Sequence, residues 1–171
     1  MLSIKLHIKK FSDNRSMTYT NGGLMDSANA VDFIRHPAVY PYTLRCLSPS
    51  APSSKSLTYC INGGIRLSTS KFFEPGSVVE IQTQINDQEL CFSGRVLWCK
   101  DGNSGEMSLI FDNPEDAFKA RMAEQLCYIK CYQQEQHQVG RFLNDQEAAN
   151  EWISQYSPLF PKIGVSHTQS K

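Results

Sequence analysis

The hydrophobic period of this chain changes once, at Asn113, and no other feature constrains its fold as strongly. From about residue 38 to residue 111, short apolar stretches alternate with polar residues and are punctuated by Gly, Pro, Asn and Asp. Such stretches read as strands joined by tight turns. Beyond Asn113 the apolar residues recur at Phe118, Met122, Leu126 and Ile129, the spacing of a helix face. A length of 171 residues suits one domain. A β-rich unit followed by helices is therefore expected.

Residues 39–47 are β-prone, with Pro41 restricting them to an edge or a strand start. Residues 48–54 are loop by composition. A strand over 57–61 is expected to end at Asn62-Gly63-Gly64, which takes positive φ cheaply and suits a hairpin turn. Ile65-Arg66-Leu67 resumes the pattern. Pro75-Gly76 is a turn before a strand over 77–83, and Asn86-Asp87 is another turn. Residues 90–98 form a long strand, with Gly94 marking a bulge or close packing. A turn over 101–103 and a strand over 107–111 close the series. Even spacing and short turns predict a small antiparallel barrel. Upstream, Ile4, Leu6 and Ile8 alternate with Lys5 and His7 like a short strand. The rest of residues 1–30 reads as an irregular or mobile leader.

Asn113-Pro114-Glu115-Asp116 starts a helix: Asn caps, Pro fits the first turn, and the carboxylates meet the positive dipole end. This helix runs to Tyr132 or beyond. Asn144-Asp145-Gln146-Glu147 starts a second, with Glu147 placed to complete a capping box. Ala148, Ala149, Trp152, Ile153 and Tyr156 form its stripe, and Ser157-Pro158 ends it. The Phe118–Met122–Leu126–Ile129 stripe is expected to pack, with part left exposed because the chain has more helix than a barrel requires. Trp98 is expected in the barrel core, and Trp152 is expected to dock its helix on the barrel. Tyr128, Tyr132 and Trp152 form a candidate aromatic contact surface. The division is a leader over 1–30, a barrel over 31–112, helices over 113–160 and a flexible tail over 161–171.

Function classes fall away in turn. Lys+Arg and Asp+Glu each number 17, and the pI is about 6.9, which argues against a phosphate-tracking binder of DNA or RNA. A local basic pocket remains compatible with that balance. The longest apolar runs, such as Val96-Leu97-Trp98-Cys99, fall far short of the roughly 20 residues of a membrane span. Residues 1–10 lack the apolar core and cleavage site of a signal peptide, so a reducing cytoplasm is expected. Cys46, Cys60, Cys91, Cys99, Cys127 and Cys131 then read as free thiols, mostly buried. Cys127 and Cys131 share a helix face, but no histidine lies within a turn of them, so packing thiols are favoured over a metal site. No P-loop, GxSxG or HExxH pattern occurs, and none of the four histidines has a catalytic context; no enzyme and no cofactor are expected.

Arg35-His36-Pro37 stands before the barrel, followed by the Gly63-Gly64 turn and by Pro75-Gly76 before a Val-rich strand. Gly94-Arg95-Val96-Leu97-Trp98 and Leu109-Ile110-Phe111 come next. The order of these pieces resembles the PilZ domain family, small bacterial β-barrels known as receptors for cyclic di-GMP. Residues 118–125 and 145–156, ending at Phe160-Pro161, resemble the helices of one γ-proteobacterial branch. The resemblance implies a six-stranded antiparallel PilZ-like β-barrel followed by two helices.

It also implies where a ligand would sit. In the family an RxxxR motif clamps phosphates, as the planar fork of arginine allows, and a D/NxSxxG motif meets a guanine edge. Here Arg35 matches the second arginine, while Val31 stands at the first and Asp32 follows it. Gly64 matches the final glycine, but Tyr59 and Ile61 stand at the polar positions, with Asn62 one residue away from the serine position. The candidate ligand residues are thus Arg35, Asn62, Gly63 and Gly64. Each lost charge-assisted hydrogen bond costs about 1.5–3 kcal/mol, so affinity through these motifs is expected to fall by several orders of magnitude. The expected function is a PilZ-family signalling adaptor acting on a bacterial protein partner, with a homo-oligomer through the C-terminal helices as a further expectation. The alternative is a true cyclic di-GMP receptor using Arg35 and non-standard contacts, with Lys9, Lys10 and Arg15 standing in for the missing arginine.

Overall fold

The computed structural model describes residues 33–49, 62–100 and 105–161. The expected strands over 4–8 and 57–61 and the turn over 101–103 lie outside the described residues, as do Val31, Asp32, Tyr59, Cys60 and Ile61. Six strands, β1 (Phe33–Arg35), β2 (Thr43–Ser48), β3 (Gly64–Ser68), β4 (Val78–Ile85), β5 (Gln88–Cys99) and β6 (Glu106–Ile110), precede two helices, α1 (Pro114–Gln138) and α2 (Asp145–Tyr156). A short 3₁₀ turn, Ser157–Leu159, follows.

The strands form one sheet in the order β1-β3-β6-β5-β4-β2. This corrects the expected antiparallel barrel twice. β1 runs parallel to β3, so the sheet is mixed. β1 and β2 form opposite edges and do not pair, so the sheet is not closed. The connection over 36–42 accounts for the open edges. It carries Pro37 and Pro41, which lack amide donors for a ladder, and it bridges the edges by scattered bonds instead. His36 N donates to the Arg66 carbonyl at 2.9 Å, Thr83 Oγ1 to the Pro41 carbonyl at 3.0 Å, and Tyr40 Oη to the Gln84 carbonyl at 3.0 Å.

Asn86 and Asp87 adopt φ of 50° and 62° and join β4 to β5 in a two-residue hairpin, as expected from their tolerance of that region. Gly94 meets Leu109 closely, while the bulge lies nearer Trp98, between Val96 and Trp98. The hairpin expected at Asn62-Gly63-Gly64 takes a different form. Gly63 has the positive φ, 82°, but Gly64 already belongs to β3, whose two edges are taken by β1 and β6. A Cβ on Gly64 would run into the Leu109 carbonyl and the Phe33 ring.

One sheet face carries Ile34, Ile65, Leu67, Val79, Ile81, Phe92, Val96, Met107 and Leu109 into the core. α1 covers this face with Ala117, Ala120, Ala123, Cys127 and Cys131, all buried. Small side chains let the helix backbone approach the sheet. The expected packing stripe is therefore rotated away: Phe118, Met122 and Leu126 are exposed (56%, 43% and 39%), and only Ile129 of that set is buried. Asn113 caps α1 by accepting from Asp116 N, and the expected capping box at Asn144 and Glu147 is present on α2.

Trp98 is not in the core. It lies half-buried on the other sheet face, with Lys100 Nζ 5.4 Å from its ring centre. Trp152 is buried and packs against Tyr128, Tyr156 and Phe160, so it docks α2 on α1. Cys127 and Cys131 are buried as expected, whereas Cys46 and Cys91 are exposed. Cys46 lies on edge strand β2, and Cys91 sits beside Gln82 on the sheet face opposite α1.

Candidate functional site

Strand register assembles a row across the sheet face opposite α1. Arg35 pairs with Arg66, Arg66 with Ser108, and Ser108 with Trp98. Paired residues share a face, so two guanidiniums, a hydroxyl and an indole lie side by side. Arg35 is exposed, and its Nη2 donates to Glu106 Oε1 at 2.7 Å. The Arg66 guanidinium sits 5.4 Å from the centre of the Phe33 ring. Arg66 Nε and Ser108 Oγ are buried and, among the described residues, have no hydrogen-bond partner. Unpaired buried polar atoms are uncommon and call for an explanation; here the two are register neighbours.

Round the edge of β1 lies a cleft of about 160 Å³, between Arg35, His36 and Val39 on one side and Tyr128, Tyr132 and Tyr156 on the other. Tyr128 Oη donates to the Arg35 carbonyl at 2.5 Å, which ties α1 to the edge strand. Burial raises the Tyr128 phenol pKa, with the negative charge of Glu124 acting in the same sense. Of the expected contact surface, Trp152 and Tyr132 are themselves buried, and Tyr132 Oη donates to Glu151 Oε2 at 2.7 Å.

Behind the cleft, His36 and Glu124 are both shut away from water. His36 Nδ1 lies 2.8 Å and 3.0 Å from the two Glu124 carboxylate oxygens, and Nε2 lies 2.9 Å from the Tyr40 carbonyl. Burial opposes the imidazolium most strongly. The hydrogen bond and charge of Glu124, with the Tyr40 carbonyl, outweigh it and raise the His36 pKa above its usual value. The Cys127 thiol lies beside this pair, pushed upward by burial first and by the Glu124 charge second.

The expected ligand residues divide. Arg35 reaches the row just described. Asn62 Nδ2 donates to the Phe111 carbonyl at 3.2 Å, and Phe111 N donates to the Gly63 carbonyl at 3.2 Å, so this segment is knitted to the end of β6. Gly63 and Gly64 are buried. Sequence reasoning missed Arg66, Ser108, His36 and Glu124 as site residues. The alternation Ile65-Arg66-Leu67 does place Arg66 opposite the core. Only the parallel β1–β3 register puts it next to Arg35. Glu124 carried a signal of its own, an acid set in a face of small residues.

A family model described as the PilZ domain matches residues 35–128, more than half of the chain. The chain belongs to the PilZ family, whose domains are modules of cyclic di-GMP signalling. No curated protein and no solved structure matches it. Among the described residues no helix is long and apolar enough to cross a membrane.

Proposed function

We propose that this PilZ protein acts in cyclic di-GMP signalling as a protein–protein adaptor, with nucleotide affinity through the family motifs largely lost. The observation that carries this reading is the ridge of Phe118, Met122 and Leu126 on α1, exposed while the helix packs through alanines. Apolar side chains grouped on an exposed helix face suit a partner surface. The state of the motifs supports the same reading. Arg35 is already paired with Glu106, and Val31, Tyr59 and Ile61 replace an arginine and two polar anchors. A cytoplasmic location and the lack of an enzymatic activity belong to this reading. Capture from the cell extract with the full chain, alongside a Phe118→Glu, Met122→Lys variant, tests it. A partner should be retained by the wild type and lost by the variant; equal retention, or none, counts against the adaptor.

One observation favours the alternative, a receptor with non-standard contacts. Arg66 Nε and Ser108 Oγ, without partners among the described residues, form the middle of a row that Arg35 and Trp98 flank. Two adjacent guanidiniums suit phosphate oxygens, and an indole suits a purine face. In this reading Arg66 takes the part of the missing arginine. Saturable binding of cyclic di-GMP that is lost in Arg66→Ala would establish it.

A further inference from the structure

The cluster behind the cleft has chemistry that neither nucleotide binding nor partner docking uses. The Glu124 carboxylate is fully buried, yet among the described residues it accepts a hydrogen bond from one donor only, His36 Nδ1. An ionised carboxylate has about four lone-pair sites, and a buried one is stable only when most of them are used. His36 Nε2 is committed to the Tyr40 carbonyl. That is the arrangement by which a backbone carbonyl fixes a ligating histidine and leaves its other nitrogen for a metal. The Cys127 thiol completes the group. One ligand atom each from His36, Glu124 and Cys127 lies within 4.8 Å of the others, and all three residues are buried.

We propose that His36 Nδ1, a Glu124 carboxylate oxygen and Cys127 Sγ bind a divalent cation of the zinc class. Mixed N, O and S donors suit such an ion, and three protein ligands leave a fourth tetrahedral position for water. Glu124 and Cys127 stand three apart on α1, so one helix turn presents both. His36 arrives from the β1–β2 connection. The charge balances. Binding releases the proton shared by His36 and Glu124 and the thiol proton of Cys127. The dication, carboxylate, thiolate and neutral imidazole then sum to zero, as the metal-free pair does. A buried site gains its ion during folding, because the ligands come together only in the folded chain.

The test uses the full chain. It is unfolded in denaturant with a chelator, freed of both, and refolded without oxygen in the presence of cobalt(II) as the probe metal. Metal content is also measured on protein purified without chelator. The expected result is one equivalent of metal per chain and a thiolate-to-cobalt charge-transfer band. Cys127→Ser should lose the band and keep its helical circular dichroism, while Cys131→Ser should keep both. Wild-type protein that refolds with neither bound metal nor a charge-transfer band overturns the proposal, whatever the variants do. A band that survives Cys127→Ser also overturns it.

Discussion

His36 Nδ1 stands 2.8 Å from Glu124 Oε1, and this contact joins the β1–β2 connection to the middle of α1 across 88 positions of sequence. Removing one partner leaves the other buried without compensation. Glu124→Ala should therefore lower stability by about 3–5 kcal/mol. The double replacement His36→Leu, Glu124→Leu should recover a large part of that loss, because nothing charged is left buried. Urea denaturation of the single and double variants measures both. A single variant as stable as the wild type would remove the pair from the list of fold-defining contacts.

Gly64 matched a family ligand position in the sequence, but its surroundings demand a residue without Cβ. A methyl group there meets the Leu109 carbonyl and the Phe33 ring. Gly64→Ala should cost about 1–3 kcal/mol through overpacking. Thermal denaturation reads this without any ligand present; an unchanged melting temperature would mean that β1 and β6 can part to admit the methyl group.

The two faces of α1 should respond oppositely to substitution. Met122→Lys changes an exposed side chain and should alter stability by no more than about 0.5 kcal/mol. Ala120→Leu forces bulk between helix and sheet and should cost about 1–3 kcal/mol or more. Chemical denaturation of both variants checks the helix orientation, and the reverse ranking would contradict it.

Thiol labelling should separate the cysteines by position. Cys46 and Cys91 are exposed and should react with iodoacetamide in the native protein. Burial and the nearby acids Glu135 and Glu124 push the Cys131 thiol up to about 11. Burial and Glu124 also raise Cys127. Since the thiolate is the reactive form, both should label only after unfolding. Peptide mapping by mass spectrometry after timed labelling shows the order, and early labelling of Cys127 would mean that α1 opens readily.

The strand-to-helix switch, both helix caps and the Asn86-Asp87 hairpin were legible in the sequence because each is set by local chemistry. The edges of the sheet were not. Nothing near Phe33 announces that β1 will run parallel to β3, since that pairing is long-range and three residues long. The face of α1 was misread because large apolar residues dominate a periodicity count, whereas the packed stripe is built from Ala117, Ala120, Ala123 and Cys127. Of the candidate site, Arg35 was found through its motif. Its neighbours Arg66 and Ser108 depend on register, and His36 meets Glu124 only once the connection and α1 have packed.

Isothermal titration of the full-length protein with cyclic di-GMP, with Arg35→Ala and Arg66→Ala alongside, bears most directly on the adaptor reading. The expected result is no saturable heat at micromolar concentrations for any of the three. Stoichiometric micromolar binding by the wild type, abolished in either variant, would contradict it and make the row from Arg35 to Trp98 a working nucleotide site.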